Sequence, residues 1–295
     1  MGDRAGRDDR REGVTGALVL VATPIGNLGD LPPRAVEEFL AAALICCEDT
    51  RRTGRLLAHA GVDGARLRRV DDHTEARAAA EVIDLIAAGQ RVVLVSDAGT
   101  PGVSDPGARL VDAVLDAGHD VTVVPGPVAA VAALVASGLP TDRFVFEGFL
   151  PRKGRERTLR LQAVAAEPRT VVLYESPNRI AATLGALAEV CGPERRATVA
   201  REITKLHEEF VRGSLVELAA WASDTPKGEI VLVVEGAPPP EEASDDEVVE
   251  ALRAELAGGS SARDAADAVA AALGVGRRRA YQLSLGIPGG VTPPS

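Results

Sequence analysis

Short, uninterrupted apolar runs recur at 16–22, 44–47, 92–95 and 121–124, with helical stretches between them at 31–43, 75–88 and 107–117. A continuous apolar run lacks the period-two alternation of a half-exposed strand, so each of the four reads as a strand buried on both faces. Such strands alternating with helices predict an open parallel sheet with helices on both sides.

Beyond Pro125-Gly-Pro127 the pattern loosens. A helical stretch at 128–137 precedes strand-like runs at 144–146, 170–174, 197–200 and 229–234, which predict a second α/β domain with a mixed sheet. A chain of 295 residues that is 46% hydrophobic has the material for two sizeable cores, taking about 150 residues per domain. The expected organisation is a frayed tail at 1–15, α/β domains at 16–125 and 126–237, an acidic, proline-rich linker at 238–250, a helix-turn-helix-like module at 251–288 and a tail at 289–295.

No apolar run approaches the ~18 residues of a membrane span, and the first twelve residues alternate Asp and Arg without a signal-peptide centre. The expectation is a cytoplasmic protein without a membrane. The three cysteines, two of them adjacent at Cys46 and Cys47, fit neither a disulfide framework nor a zinc site, and no metal is expected. A net charge of -10 argues against a polyanionic partner unless the basic residues are grouped.

The loop at 95–107, Val-Ser-Asp-Ala-Gly-Thr-Pro-Gly-Val-Ser-Asp-Pro-Gly, follows the third strand directly. It has neither the terminal Lys of a phosphate cradle nor the Gly-x-Gly-x-x-Gly spacing of a dinucleotide fingerprint. Glycine lets backbone approach a ligand and proline stiffens the approach, so the loop suits a ligand held by amides, carbonyls and Asp97. On glycine and proline content alone, a rigid turn with no ligand accounts for it equally well. Two companion loops after strands, Ala22-Thr-Pro-Ile-Gly-Asn-Leu-Gly-Asp30 and Val124-Pro-Gly-Pro-Val-Ala129, favour a site along one sheet edge.

These loops, with Glu48-Asp-Thr-Arg51, Phe149-Leu-Pro-Arg-Lys-Gly154 and Tyr174-Glu-Ser-Pro-Asn-Arg179, resemble the ribosomal RNA-methylating branch of the tetrapyrrole methylase superfamily. The resemblance runs from about residue 16 to 236 and on into the final helices. It implies methyl transfer from S-adenosylmethionine to the ribose 2′-hydroxyl of a cytidine in 16S RNA, at the decoding centre of the small subunit, by a homodimer. It further implies a cofactor cleft between the two α/β domains. Pro24, Asp97, Ala98, Gly99, Thr100, Pro101, Val103, Ser104, Pro127, Val128 and Ala129 would face the cofactor from the first three loops. Tyr174 and Pro226-Lys-Gly-Glu229, with Gly228 and Glu229, would meet it from the second domain.

A ribose hydroxyl is a weak nucleophile at neutral pH, so a general base beside the methyl donor would help. Glu48, Asp49, Glu175 and Lys205 lie in the quoted motifs or in Glu202-Ile-Thr-Lys205, and a structural ion pair is an equal account of each. His73 reads more simply as a loop residue bonded to its neighbours.

For RNA, Arg152, Lys153, Arg155, Arg157 and Arg160 against Glu156 give a local net of +4, with Arg51, Arg52, Arg55, Arg66, Arg68 and Arg69 as a second basic region. Arg277-Arg-Arg279 is open to contacting RNA, capping its own helix or lining a dimer surface. Aromatic residues make up only 3% of the chain, which argues against extensive base stacking. Two alternatives share the fold: a precorrin or uroporphyrinogen C-methyltransferase, and a ribosome assembly factor without catalysis.

Overall fold

The computed structural model describes residues 16–71, 74–224, 227–239 and 243–287. In its first sheet, β1 (Ala17–Val21), β2 (Leu44–Cys47), β3 (Leu67–Arg69), β4 (Arg91–Leu94) and β5 (Asp120–Val124) run parallel in the order β3-β2-β4-β1-β5. The alternating direction of strand side chains divides them between two cores. Leu18, Leu44, Cys46, Val92 and Leu94 pack against α3 (Glu75–Ala87) and α4 (Ala108–Asp116). Val19, Val21, Ile45, Cys47, Val93 and Val95 pack on the other side against α1 (Pro33–Ala41) and α2 (Thr50–His59).

β4 is the middle strand, which puts Asp97 at the carboxyl end of the sheet's centre, where open α/β sheets place ligands. β5 departs from expectation. It is an edge strand with Thr122 and Val123 exposed, so its apolar run is not covered on both sides. Cys46 and Cys47 are buried in β2, and burial, with Cys47 alongside, pushes the Cys46 thiol up to about 12.

The second sheet is mixed. Its strands β6 (Phe144–Phe149), β7 (Thr170–Glu175), β8 (Arg196–Arg201), β9 (Glu209–Ser214) and β10 (Ile230–Val234) take the order β6-β7-β10-β8-β9. Only β6 and β7 pair in parallel. Leu173, Val199 and Leu232 face α6 (Gly154–Ala166), α7 (Ile180–Cys191) and α8 (Leu215–Trp221). Val172, Val231 and Val233 face α5 (Ala129–Ser137), and Ile25 of the first loop joins that core. The described residues up to Ala237 form one compact unit containing both sheets.

The described residues from Pro238 onward form a separate unit. It holds three helices, α9 (Asp245–Ala257), α10 (Ala262–Leu273) and α11 (Arg277–Leu285), around Val248, Leu252, Ala266, Val269 and Ala280. The linker expected over 238–250 is therefore shorter, because Ser244 and Glu247 form a capping box and Asp245 to Glu247 complement the start of the α9 dipole. The tails at 1–15 and 289–295, with His73 and Pro226, lie outside the described residues.

Candidate functional site

The three glycine- and proline-rich loops are knitted together by backbone. Thr23 and Gly99 exchange hydrogen bonds of 2.8 and 3.1 Å, and Ala22 N–H donates to Val124 O at 3.1 Å. Gly99 sits at φ +81°, a conformation that opposes any side chain, and an added Cβ would touch Ile25. Ser104 takes φ 60° without being glycine, a strained geometry of the kind that gathers at binding sites. Buried Glu75 accepts from Gly107 N–H and so ties the end of the loop to α3.

Between these loops and the second sheet lies a cleft of about 420 Å³, within the range of small-molecule sites. Of the residues expected to face a cofactor, Asp97, Ala98, Gly99, Thr100, Val103, Ser104, Val128, Ala129, Tyr174, Gly228 and Glu229 line it. Pro24, Pro101 and Pro127 do not. Pro24 instead borders a neighbouring depression with Leu28, Arg52 and Arg55. Pro101 is buried, and Pro127 directs its carbonyl toward Gly99.

Of the candidate bases, Glu48 and Glu175 reach the cleft and Asp49 and Lys205 are employed elsewhere. Asp49 is the N-cap of α2, accepting Arg51 N–H at 2.8 Å, and its carboxyl is held below its usual value by the side-chain and backbone bonds from Arg51. Lys205 Nζ lies 2.7 Å from Glu202 and 2.9 Å from Glu229. Burial pulls its pKa down, but the bonds to both carboxylates outweigh this and hold the ammonium above its ordinary value. The same turn clamps the first loop, since Asn27 N–H donates to Thr204 Oγ1 at 3.1 Å. Glu175 is buried and saturated, accepting from Thr183 Oγ1 at 2.7 Å and Ser176 N–H at 2.8 Å, with Arg179 at 3.4 Å.

Asp105, the second aspartate of the 95–107 loop, joins these carboxylates. It lines the cleft, where burial, then the charge of Glu48, raises its carboxyl to about 6, with Asp97 and Glu229 adding to the shift and a bond from Ser96 opposing it. A raised carboxyl pKa in a cleft was beyond reach of the sequence, because the charges responsible come from three separate segments. Among the described residues no group of three or more His, Cys, Asp or Glu is arranged to hold a metal, and no helix is long and apolar enough to cross a membrane.

The basic regions prove more occupied than their composition implies. Residues 154–160 form the first turns of α6. Arg157 donates to Pro151 O and Thr183 Oγ1 at 3.1 Å each, and Arg160 pairs with Glu147, because half-buried guanidinium groups need partners. Arg152, Lys153 and Arg155 remain exposed. Arg66 and Arg68 pair with Glu81, Arg69 with Asp71, Arg51 with Asp49 and Arg52 with Asp97. Arg277 and Arg279 brace the terminal module through Asp267 and Asp245.

A family model described as Tetrapyrrole (Corrin/Porphyrin) Methylases matches residues 17–219. A protein of Synechocystis sp. named Ribosomal RNA small subunit methyltransferase I is 48% identical over 92% of this chain and 98% of its own. One of the same name from Mycobacterium bovis is 45% identical over 92% of this chain and 95% of its own. Among solved structures, uroporphyrin-III-C-methyltransferase from Thermus thermophilus aligns with a TM-score of 0.54 at 24% identity, over 75% of this chain and 94% of that one. A complex of such an enzyme with S-adenyl homocysteine aligns with a TM-score of 0.52 at 21% identity, over 74% and 96%.

Proposed function

Because the chain belongs to the tetrapyrrole methylase family, and within it to the ribosomal RNA small subunit methyltransferase I group, we propose that it methylates the ribose 2′-hydroxyl of a cytidine in 16S RNA at the decoding centre, using S-adenosylmethionine. The observation that carries this reading is the likeness to relatives of that name, at 45% identity or more across 92% of the chain. The two solved uroporphyrin-III-C-methyltransferase structures described above are 24% and 21% identical and cover 75% and 74% of it. Such distant likeness speaks to fold alone.

The residues fit the cofactor. Glu48, Asp97, Asp105, Glu175 and Glu229 against Arg52 give the cleft a negative balance that suits a cationic sulfonium and ammonium, while Ile203, Tyr174 and Val231 supply apolar wall for an adenosine. When bound, S-adenosylmethionine supplies an electrophilic methyl group on sulfur. The chain's own part is to align the hydroxyl, exclude water and accept a proton. Stiff loops closed by the Thr23–Gly99 pair hold the cleft's shape before any ligand arrives, so little order is lost on binding. Asp105 lies in the cleft with a carboxyl more basic than usual, and we assign it, with Glu48 beside it, the proton from the 2′-hydroxyl. The ion pairs of Lys205 and the helix cap made by Asp49 support a structural role for these two groups.

Arg152, Lys153 and Arg155 would hold phosphates, and with the acidic overall charge they favour a shaped subunit over free RNA. A ribosomal substrate puts the reaction in the cytoplasm. The homodimer reading draws support from α5, apolar on every side, whose Val131 and Val135 are exposed at 44% and 67%. Light scattering that returned a monomer mass would remove it. The reaction itself is tested by offering methyl-labelled S-adenosylmethionine with either undermethylated small subunits or uroporphyrinogen III. Label is expected only in the subunit, and label in the tetrapyrrole would reverse the assignment. Binding to the subunit with no transfer would favour an assembly factor.

A further inference from the structure

We propose that Phe149 is a stacking platform that receives the base of the nucleotide to be methylated, with Arg152, Lys153 and Arg155 holding its flanking phosphates. This rests on the RNA-methylating reading above and names a substrate-binding residue within it.

The chain has one Trp, two Tyr and five Phe, and three of these eight aromatics meet at one end of the cleft. The rings of Phe146 and Phe149 lie 4.9 and 5.6 Å from that of Tyr174, both edge-to-face. Phe146 and Tyr174 are partly buried, whereas Phe149 lines the cleft while 52% exposed.

The backbone has been altered to put it there. Side chains alternate along a strand, so Phe146 and Phe149, three residues apart, belong on opposite faces of β6. The pairing with β7 shifts between Phe146 and Gly148, with Phe146 opposite Val172, Gly148 opposite Leu173 and Phe149 opposite Tyr174. Glu147 is the extra residue of a β-bulge, and the bulge turns Phe149 onto the face that carries Tyr174 and the cleft. Two devices hold it: Arg160 bonds both the Glu147 carboxylate at 2.7 Å and its carbonyl at 2.8 Å, and Gly148 adopts φ +62° against Ser104. Arg160 thus serves the bulge, and its charge is not available to a phosphate.

The result is a ring braced on its inner edge by Tyr174, open on its outer side, and followed three to six residues later by three exposed cations. That pairing of an aromatic face with phosphate-binding side chains is the chemistry of an unstacked nucleotide. A sugar hydroxyl inside folded RNA has to leave its helical stack to enter such a cleft, and a ring at the mouth offsets the stacking that is lost.

The test measures methylation of undermethylated small subunits by the full chain and by Phe149→Ala, Phe149→Leu, Phe149→Tyr and Phe149→Trp, with cofactor affinity by calorimetry and molecular mass by light scattering. We expect Phe149→Ala to lower kcat/KM for the subunit about tenfold or more while cofactor affinity stays within about twofold. Tyr and Trp should restore activity and Leu should not. Leu at wild-type efficiency would show that no ring is needed. An equal loss of cofactor affinity in Phe149→Ala would assign the ring to the cofactor, and a fall in mass would assign it to a second copy; each overturns the platform. If the unaltered protein transfers nothing to the subunit, the ribosomal reading itself fails, whereas full activity in Phe149→Ala overturns the platform alone.

Discussion

The guanidinium of Arg52, on α2, lies 3.2 Å from one oxygen of Asp97, while the other oxygen accepts Asp49 N–H at 3.1 Å. One carboxylate on the loop after β4 thus secures the turn after β2 and forms part of the cleft wall. Replacing it separates two contributions. Asp97→Asn retains an acceptor for Asp49 but loses the charge facing a cationic ligand, so calorimetry should show cofactor affinity reduced about tenfold, worth ~1.4 kcal/mol. Asp97→Ala should additionally lower the melting temperature by several degrees, since it strands the Asp49 amide. Unchanged affinity in a folded Asp97→Asn would remove Asp97 from the binding site.

Glycine positions give a stricter test of shape. Gly99 at φ +81° and Gly228 at φ +94° both line the cleft, and a Cβ at 228 would run into the Glu202 side chain that accepts from Glu229 N–H at 2.9 Å. Gly99→Val and Gly228→Ala both carry backbone strain of ~1–3 kcal/mol; Gly228→Ala adds the collision with Glu202, and Gly99→Val adds a branched side chain beside Ile25. We expect each to lower the melting temperature by several degrees and, in protein that still folds, to weaken the cofactor about tenfold or more. Wild-type calorimetric affinity in either would mean that the cleft does not grip its ligand there.

Much of this was legible from residues alone, for identifiable reasons. β1, β2, β4, β7, β8 and β10 carry continuous apolar runs because helices or neighbouring strands cover them. β3 carries no such run because Leu67-Arg68-Arg69 is a short edge strand with two exposed arginines, and β9 does not because Arg212 interrupts this edge strand of the second sheet. α2 hid among its arginines, with only Thr53 and Leu57 buried. In the site, the loop residues were found because stiff, glycine-bearing turns at strand ends are local. The basicity of Asp105, the capping role of Asp49 and the exposure of Phe149 depend on charges, helix starts and a bulge that become visible only when separate segments meet.

The raised carboxyl of Asp105 makes a pH prediction. Below about 6 it is protonated and unable to accept a proton, so the rate with small subunits should fall as pH drops through that value. Asp105→Asn should lower the plateau by about 100-fold or more and abolish this acid limb. Because the folded pKa lies above the unfolded one, protonation favours the folded state: the stability from this group is present below the ordinary Asp value and lost as pH rises through about 6. Melting curves of Asp105→Asn should lack that dependence. A retained acid limb in the variant would give the base role to another group.

The basic residues divide into two kinds with opposite signatures. Lys153→Glu with Arg155→Glu alters exposed side chains, so stability and cofactor affinity should hold while sedimentation with the subunit is lost. Arg157→Ala removes donors from Pro151 O and Thr183 Oγ1, so the melting temperature should fall with little direct effect on subunit binding. Methylation that survived the double reversal would show that the start of α6 does not position RNA.

The acceptor of the methyl group separates ribosomal RNA methylation from every alternative. Undermethylated small subunits incubated with the protein and labelled S-adenosylmethionine, then digested to nucleosides, should yield label in 2′-O-methylcytidine from 16S RNA. Label on a base carbon or nitrogen, or on another nucleoside, would contradict it.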